Sequence, residues 1–394
     1  MVSSLRHILL VAMGSLGIAV AQPALGAAQT LKIGLVLPLS GPLAETGKQI
    51  DNAMRLYLEQ NGDTVEGTRI EVLVRDDEGN PDHTRAAVQS LVEEDKVDVL
   101  AGFGTSPAAA VAAPFATNAK TPEVVMGAQT SVVTTRSPFM VRSGATLAQS
   151  AATLGKWAAK NNIRNVAALI SDYAPGNDAL REFSKAFAAD ERTVSDEYRI
   201  PLTEADLGPP LLQIKQAKPD ALFVFVAPWQ ARQVLDAIAA QGFAQEGIKV
   251  IATGDLTDDS FLKNLGPSAL GVTTAHFYSA AHPSRANRQF VEAYRMTYGE
   301  TPGAMAVSGY DGTRLICEAL RATKGDTDGE ALLKAMKGAA WDSPRGPFAI
   351  DRRSREVVQD IYMRKVESAN GESVNAEFET FEAVKDPNNS SREH

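Results

Sequence analysis

Between residues 31 and 252 short apolar runs alternate, almost without interruption, with segments of helical period, and few folds accept that order. Runs at 31–37, 69–75, 97–103, 123–126, 166–170, 194–200, 221–226 and 249–252 have the length and β-branched content of buried strands. The segments between them carry apolar residues three and four apart. Ile50, Ala53, Met54, Tyr57 and Leu58 form one such face; Ala87, Val88, Leu91 and Val92 form another, with Asp82 as its expected cap. Further helices are expected at 147–160, 177–188, 207–217 and 230–241. Strands that are apolar on both faces must be covered on both, so the pattern predicts an α/β chain of parallel sheets flanked by helices. A second series of strands begins after Leu147. The two series are too many strands for one compact sheet and predict two lobes of similar build. Later segments at 290–298, 305–322 and 330–338 read as helices and 357–366 as a strand.

The stretch 97–131 carries the strongest hint of a site. The strand at 97–103 ends in Gly102, Gly104, Thr105 and Ser106, and Pro107 then opens an alanine-rich helix with Ser106 as its expected N-cap. The strand at 123–126 ends in Gly127-Ala128-Gln129-Thr130-Ser131. Two successive strands thus end in small turns bearing hydroxyls, one of them at a helix N-terminus, where free N–H groups and the helix dipole favour an anion. In an open α/β sheet ligands sit outside the carboxyl ends of the strands. A carboxylate held by Ser106, Thr130 and nearby N–H groups is one reading; plain helix capping, the commoner use of Ser and Thr, is the other.

Residues 1–26 have the order of an export signal: Arg6 and His7, an apolar run at 8–20, then Ala24-Leu25-Gly26 for cleavage. The mature protein is therefore expected to be soluble and exported. A net charge of -9 with no basic tract argues against a nucleic-acid partner. Cys317 is the single cysteine, so no internal disulfide is possible, and it falls in a helical stretch where a core role is expected. The chain has no GxSxG, HExxH, P-loop or strand-end GxGxxG motif. Asp76 and Asp77 are adjacent in a strand and point to opposite faces, which suits turn chemistry before Pro81 better than a shared task. His276 and His282 have no second ligand at metal spacing. No catalytic residue, metal or cofactor is expected.

Several motifs together carry a resemblance. They are Pro38-Leu39-Ser40-Gly41-Pro42 with Ala44-Glu45-Thr46-Gly47 after the first strand, Asp76-Asp77 with Pro81, Gly127-Ala128-Gln129-Thr130, and Gly309-Tyr310-Asp311. With these the sequence resembles the type I periplasmic binding proteins that feed ABC importers, most closely the leucine/isoleucine/valine-binding family. The wording at 125–142, Gly254-Asp255 and 276–283 is similar to branches that take up aromatic or other organic acids. The resemblance implies two Rossmann-like lobes joined by a three-segment hinge, with crossings near Leu147, Phe277 and Glu356. Lobe one would be 29–147 with 278–355 and lobe two 148–277 with 356–380; the composition of 381–394, polar and without a hydrophobic face from Lys385 on, separately predicts a disordered tail. The resemblance implies a periplasmic protein that closes on a small carboxylate and presents it to a membrane permease, with a sensing module or an enzyme on the same fold as alternatives.

Carried over by residue, the resemblance places the carboxylate on Thr105 or Ser106, on Ala128 through its backbone, and on Thr130. Tyr173 would close over the ligand from lobe two, and Asp255 would receive the ligand's ammonium. Three departures bear on the ligand. Thr46 stands where branched-chain binders have Trp, Asp255 replaces a longer Glu, and Trp229 stands where Tyr is frequent. A small residue opens the pocket and aromatic faces can stack on a ring. The expectation is an amino acid, as the family default, with an aromatic or other organic acid as the alternative.

Overall fold

The computed structural model describes residues 29–188, 192–203 and 205–390, so the stretch 1–26, read as an export signal, lies outside the described residues. The chain forms two sheets. The first has six strands in the order Thr64–Val65, Thr68–Asp76, Thr30–Leu37, Val99–Gly102, Glu123–Val125 and Met140–Arg142. All neighbours are parallel except Thr64–Val65, which folds back on Thr68–Asp76. The second sheet begins with five parallel strands, Thr193–Ile200, Asn165–Ser171, Ala221–Phe225, Lys249–Thr253 and Thr273–His276. An antiparallel block then completes it: Val357–Ala369 pairs with Thr273–His276, Gly346–Ile350 and Glu372–Val384, and Ala340–Ser343 pairs with Gly346–Ile350.

Both sheets are covered on both faces, as their apolar strands require. Along Thr30–Leu37, residues Leu31, Ile33, Leu35 and Leu37 enter a core with Ile50, Met54 and Leu315, whereas Val36 packs on the other face with Val88, Leu91 and Ala112. The two-residue period of a strand sends alternate side chains to opposite faces. Asn165–Ser171 repeats the arrangement in lobe two: Ala168 and Ile170 join Leu154 and Phe183, while Ala167 and Leu169 join Val234 and Ile238. Cys317 is a buried core residue, as expected. None of the described helices is long and apolar enough to cross a membrane.

The structure departs from the sequence reading in three places. Asn80, not Asp82, caps helix Pro81–Glu93, its side chain accepting from the Asp82 N–H at 2.8 Å. Thr105, not Ser106, caps helix Ser106–Ala119, accepting from the Ala108 N–H at 3.3 Å. The carboxyl-terminal third holds more strand than the apolar pattern showed, and the tail expected to be disordered from 381 is ordered through Ser390. Strand Glu372–Val384 runs on past 381, and a short helical turn, Pro387–Ser390, docks on lobe one, where Asn389 Nδ2 donates to the Ser131 carbonyl at 3.3 Å. The strand Gly346–Ile350 hydrogen-bonds into the second sheet while Phe348 and Ile350 bury their side chains in the lobe-one core, so this segment binds the two lobes together.

Candidate ligand-binding cleft

Three chain ends meet at the top of the first sheet. After Thr30–Leu37 the chain turns at Pro38, after Val99–Gly102 at Gly104, and after Glu123–Val125 at Gly127. A Cβ on Gly127 would lie 2.9 Å from Gly104 Cα, so only glycine lets these turns approach. A Cβ on Gly104 would lie 2.7 Å from Pro38 and 3.7 Å from Thr46 Cγ2, which places Thr46 beside the same turns. The contact joins the two candidate anchors: the Thr130 N–H donates to Ser106 Oγ at 3.2 Å. Thr105 Oγ1 and Ser106 Oγ each accept one backbone N–H, from Ala108 and from Thr130, and each keeps its own O–H to donate; Ser106 is the one joined to the Thr130 turn. Among the described residues nothing accepts from the Ala128 N–H.

The orientation of this turn comes from a residue the sequence reading missed. Arg142, at the end of strand Met140–Arg142, is wholly buried and its guanidinium donates to the Ala128 carbonyl and, at 2.6 Å, to the Thr130 carbonyl. Its Nε lies 2.6 Å from Glu356 Oε2, and Glu356 also accepts from Thr134 and from Asn389. Burial pushes the Glu356 carboxyl up, and Arg142 and Thr134 hold it down in part. The Gln129 carbonyl accepts from the Leu147 N–H at 3.0 Å, where helix Leu147–Lys160 begins. The carbonyls of residues 128–130 are therefore drawn to the back. The one available signal was an arginine inside an apolar strand, and its partner is distant in sequence.

Lobe two faces this turn with the end of Lys249–Thr253. Asp255 Oδ2 accepts from Thr253 Oγ1 at 2.9 Å, and Oδ1 accepts from Gln129 Nε2 at 3.3 Å, a bond that crosses from one lobe to the other. Burial raises the Asp255 carboxyl above its ordinary value, against the lowering effect of those two bonds. Tyr173, at the start of helix Ala174–Phe187, is half-buried with its ring 6.2 Å from that of Phe225. Burial raises its phenol, with the Asp255 charge as a second cause, so the two share one environment. Behind Asp255, Gly254 packs so closely that a Cβ would lie 2.1 Å from the His276 ring. Arg364, also wholly buried, donates to the Gly254 carbonyl at 3.2 Å and to the Tyr278 carbonyl, with Asp259 at 3.4 Å.

The structure thus gathers Thr46, Ser106, Ala128 and Thr130 on one side, and Asp255 with Tyr173 on the other. Trp229 stands apart: its Nε1 donates to the Leu202 carbonyl at 3.2 Å and 51% of it is exposed. A crevice of about 360 Å³ opens between the lobes beside the turn, lined by Gln129, Thr130, Leu147, Ala148, Asp178 and Arg181. Asp76 and Asp77 lie in turn geometry, as expected: Asp76 accepts from the Leu39 and Glu78 N–H groups, Asp77 from Gly79 and Thr84.

A family model described as periplasmic binding protein matches residues 30–372. The chain belongs to this family. It is 36% identical to Leu/Ile/Val-binding protein homolog 6 of Brucella abortus (strain 2308), over 91% of this chain and 94% of that protein. A solute-binding protein of an ABC transporter from Rhodopseudomonas palustris BisB5, solved in complex with 3,4-dihydroxybenzoic acid, is 53% identical. It covers 91% of this chain and 99% of its own, with a TM-score of 0.87. Another from Rhodopseudomonas palustris HaA2, solved with p-hydroxybenzoic acid, is 34% identical over 92% of this chain and 100% of its own, with a TM-score of 0.86. The fold is the two-lobed one the resemblance implied, and the protein is an ABC-transporter solute-binding protein. Its family and neighbours are the substrate-binding components of transporters.

Proposed function

We propose that this solute-binding protein captures a hydroxylated aromatic acid of the benzoate class between its lobes and delivers it, in the periplasm, to a membrane permease. The observation that carries the ligand is the 3,4-dihydroxybenzoic acid in the 53% identical neighbour. The cleft suits such a molecule. Ser106, the Ala128 N–H and Thr130 hold the carboxylate, without a positive charge, at turns built for donors. Asp255 faces the other pole and accepts a ring hydroxyl, and Thr46 leaves room where a larger residue would fill it. Tyr173 closes over the ring.

An α-amino acid is the second reading. Asp255 favours it, as a carboxylate able to pair with an ammonium, and so does the name of the Brucella relative. A thermal-shift screen of benzoates beside amino acids separates the two, because a ligand that binds only the folded protein raises its apparent stability by mass action. Clear shifts with hydroxybenzoates and none with amino acids are expected; the reverse would overturn the proposal.

A further inference from the structure

The Gln129 side chain has no role in the site derived so far, yet it crosses the cleft. Its main chain is fixed from behind, between the Ala128 and Thr130 carbonyls held by Arg142 and with its own carbonyl on the Leu147 N–H. With the backbone immobile, the side chain extends forward and Nε2 reaches Asp255 Oδ1 at 3.3 Å. The amide orientation follows from the partner, since the reversed amide would set Oε1 against a carboxylate oxygen.

We infer that Gln129 determines specificity, selecting a hydroxyl over an ammonium at the Asp255 pole. The argument is one of donors and acceptors. A primary amide carries two N–H donors and a carbonyl acceptor, and an ionised carboxylate only accepts. The bond to Asp255 uses one N–H, so the pair presents to a ligand the remaining Asp255 lone pairs together with one free N–H of Gln129. A ring hydroxyl matches both: it donates to Asp255 and accepts from Gln129. An ammonium has three donors and no acceptor. At Asp255 it would meet the Gln129 NH₂ as donor against donor and compete with it for the same carboxylate oxygen. Gln129 thereby turns an acid position suited to an amine into one suited to a phenol.

The inference rests on the reading of the ligand as a hydroxylated aromatic acid, and the test separates the two. Calorimetry on the full-length purified protein would use benzoate, 4-hydroxybenzoate, 3,4-dihydroxybenzoate and leucine. The quantity read is the ratio of the benzoate Kd to the 4-hydroxybenzoate Kd. Gln129→Met, which keeps length and removes both donors, should lower that ratio about tenfold, the worth of one hydrogen bond to a polar ligand group. Gln129→Glu should lower it further and strengthen leucine, since an added carboxylate attracts an ammonium. Gln129→Ala serves as the second variant if methionine disturbs the cleft. An unchanged ratio in Gln129→Met and Gln129→Ala would overturn the role of Gln129 while leaving the aromatic ligand in place. Wild-type protein that takes leucine and no benzoate would instead overturn the ligand reading, whatever the variants do.

Discussion

The two turns that face each other across the cleft share one construction and differ in what they present. Turn 127–131 in lobe one and turn 253–255 in lobe two each follow a parallel strand, and a wholly buried arginine holds each from behind, Arg142 by the Ala128 and Thr130 carbonyls and Arg364 by the Gly254 carbonyl. Each arginine is tied to a distant segment: Arg142 to Glu356, Arg364 to the Tyr278 carbonyl. To the front, however, turn 127–131 offers N–H groups and hydroxyls without charge, whereas turn 253–255 offers a carboxyl. A ligand that satisfies both must be anionic at one end and a hydrogen-bond donor at the other. The clamps also differ. Arg142 and Glu356 approach to 2.6 Å, while Arg364 and Asp259 stand at 3.4 Å.

That difference gives the largest expected effect. Arg142→Met removes the guanidinium and leaves Glu356 buried without its countercharge, which should cost about 3–5 kcal/mol of stability by urea unfolding. It should also weaken every carboxylate ligand, because the turn loses what orients it. The double variant Arg142→Met, Glu356→Gln should recover much of the stability and little of the affinity. If it recovered both, the clamp would serve only the fold. The clamp of lobe two should show itself in the response to pH. Burial, opposed by Arg364, raises the Asp259 carboxyl from 3.8 to about 6. The folded state then holds that proton more tightly than the unfolded one, so raising the pH from about 4 to about 6 should remove stability, by about 3 kcal/mol from this group. Asp259→Asn lacks the term, so its stability relative to wild type should improve by that amount between pH 4 and 7. A constant difference would show that Arg364 offsets the burial in full.

How much of this was legible in the sequence depends on which interactions are local. Helix Leu147–Lys160 falls where its period placed it, because Thr146 and Gln149 form a capping box within its first turn. The strands buried on both faces were equally plain. Strand Glu372–Val384 was not: its apolar residues change phase after Phe378, it is at most half-buried except at Asn375, and it is held by its ladder to Val357–Ala369, whose register shifts along it. The adjacent hydroxyls of Thr105 and Ser106 suit either role, and only packing against Thr130 separates cap from anchor. The roles of Arg142, Arg364 and Gln129 were missed for a common reason. Each draws its meaning from a partner brought near by the tertiary fold, Glu356, Asp259 and Asp255, and a lone charge or amide in a sequence reads as surface.

On the donor side of the comparison, Thr130→Ala should cost one hydrogen bond to a charged group, about 1.5–3 kcal/mol, or about ten- to a hundredfold in affinity. The loss should be similar for benzoate and for its hydroxylated relatives, since all share the carboxylate. Calorimetry showing parental affinity would place the anchor elsewhere.

The acceptor side should respond less, and its response names the ligand. Asp255→Asn keeps the shape of the side chain and one carbonyl oxygen, and it removes a carboxyl that burial already disfavours in its charged form. A ring hydroxyl can still donate to the asparagine oxygen, so a hydroxybenzoate should lose less than about tenfold. An ammonium would be left buried without its countercharge, and an amino acid should lose several kcal/mol. The contact with Gln129 makes the outcome sharper. Once residue 255 is an amide, its NH₂ can turn toward the Gln129 carbonyl and its oxygen toward the ligand, so the neutral pair still closes the cleft. The fold-loss in Asp255→Asn, compared for 4-hydroxybenzoate and leucine, thus measures whether this pole was built for a hydroxyl or for a charge. A large loss for 4-hydroxybenzoate would mean that the carboxylate's charge, and not only its lone pair, is used in binding.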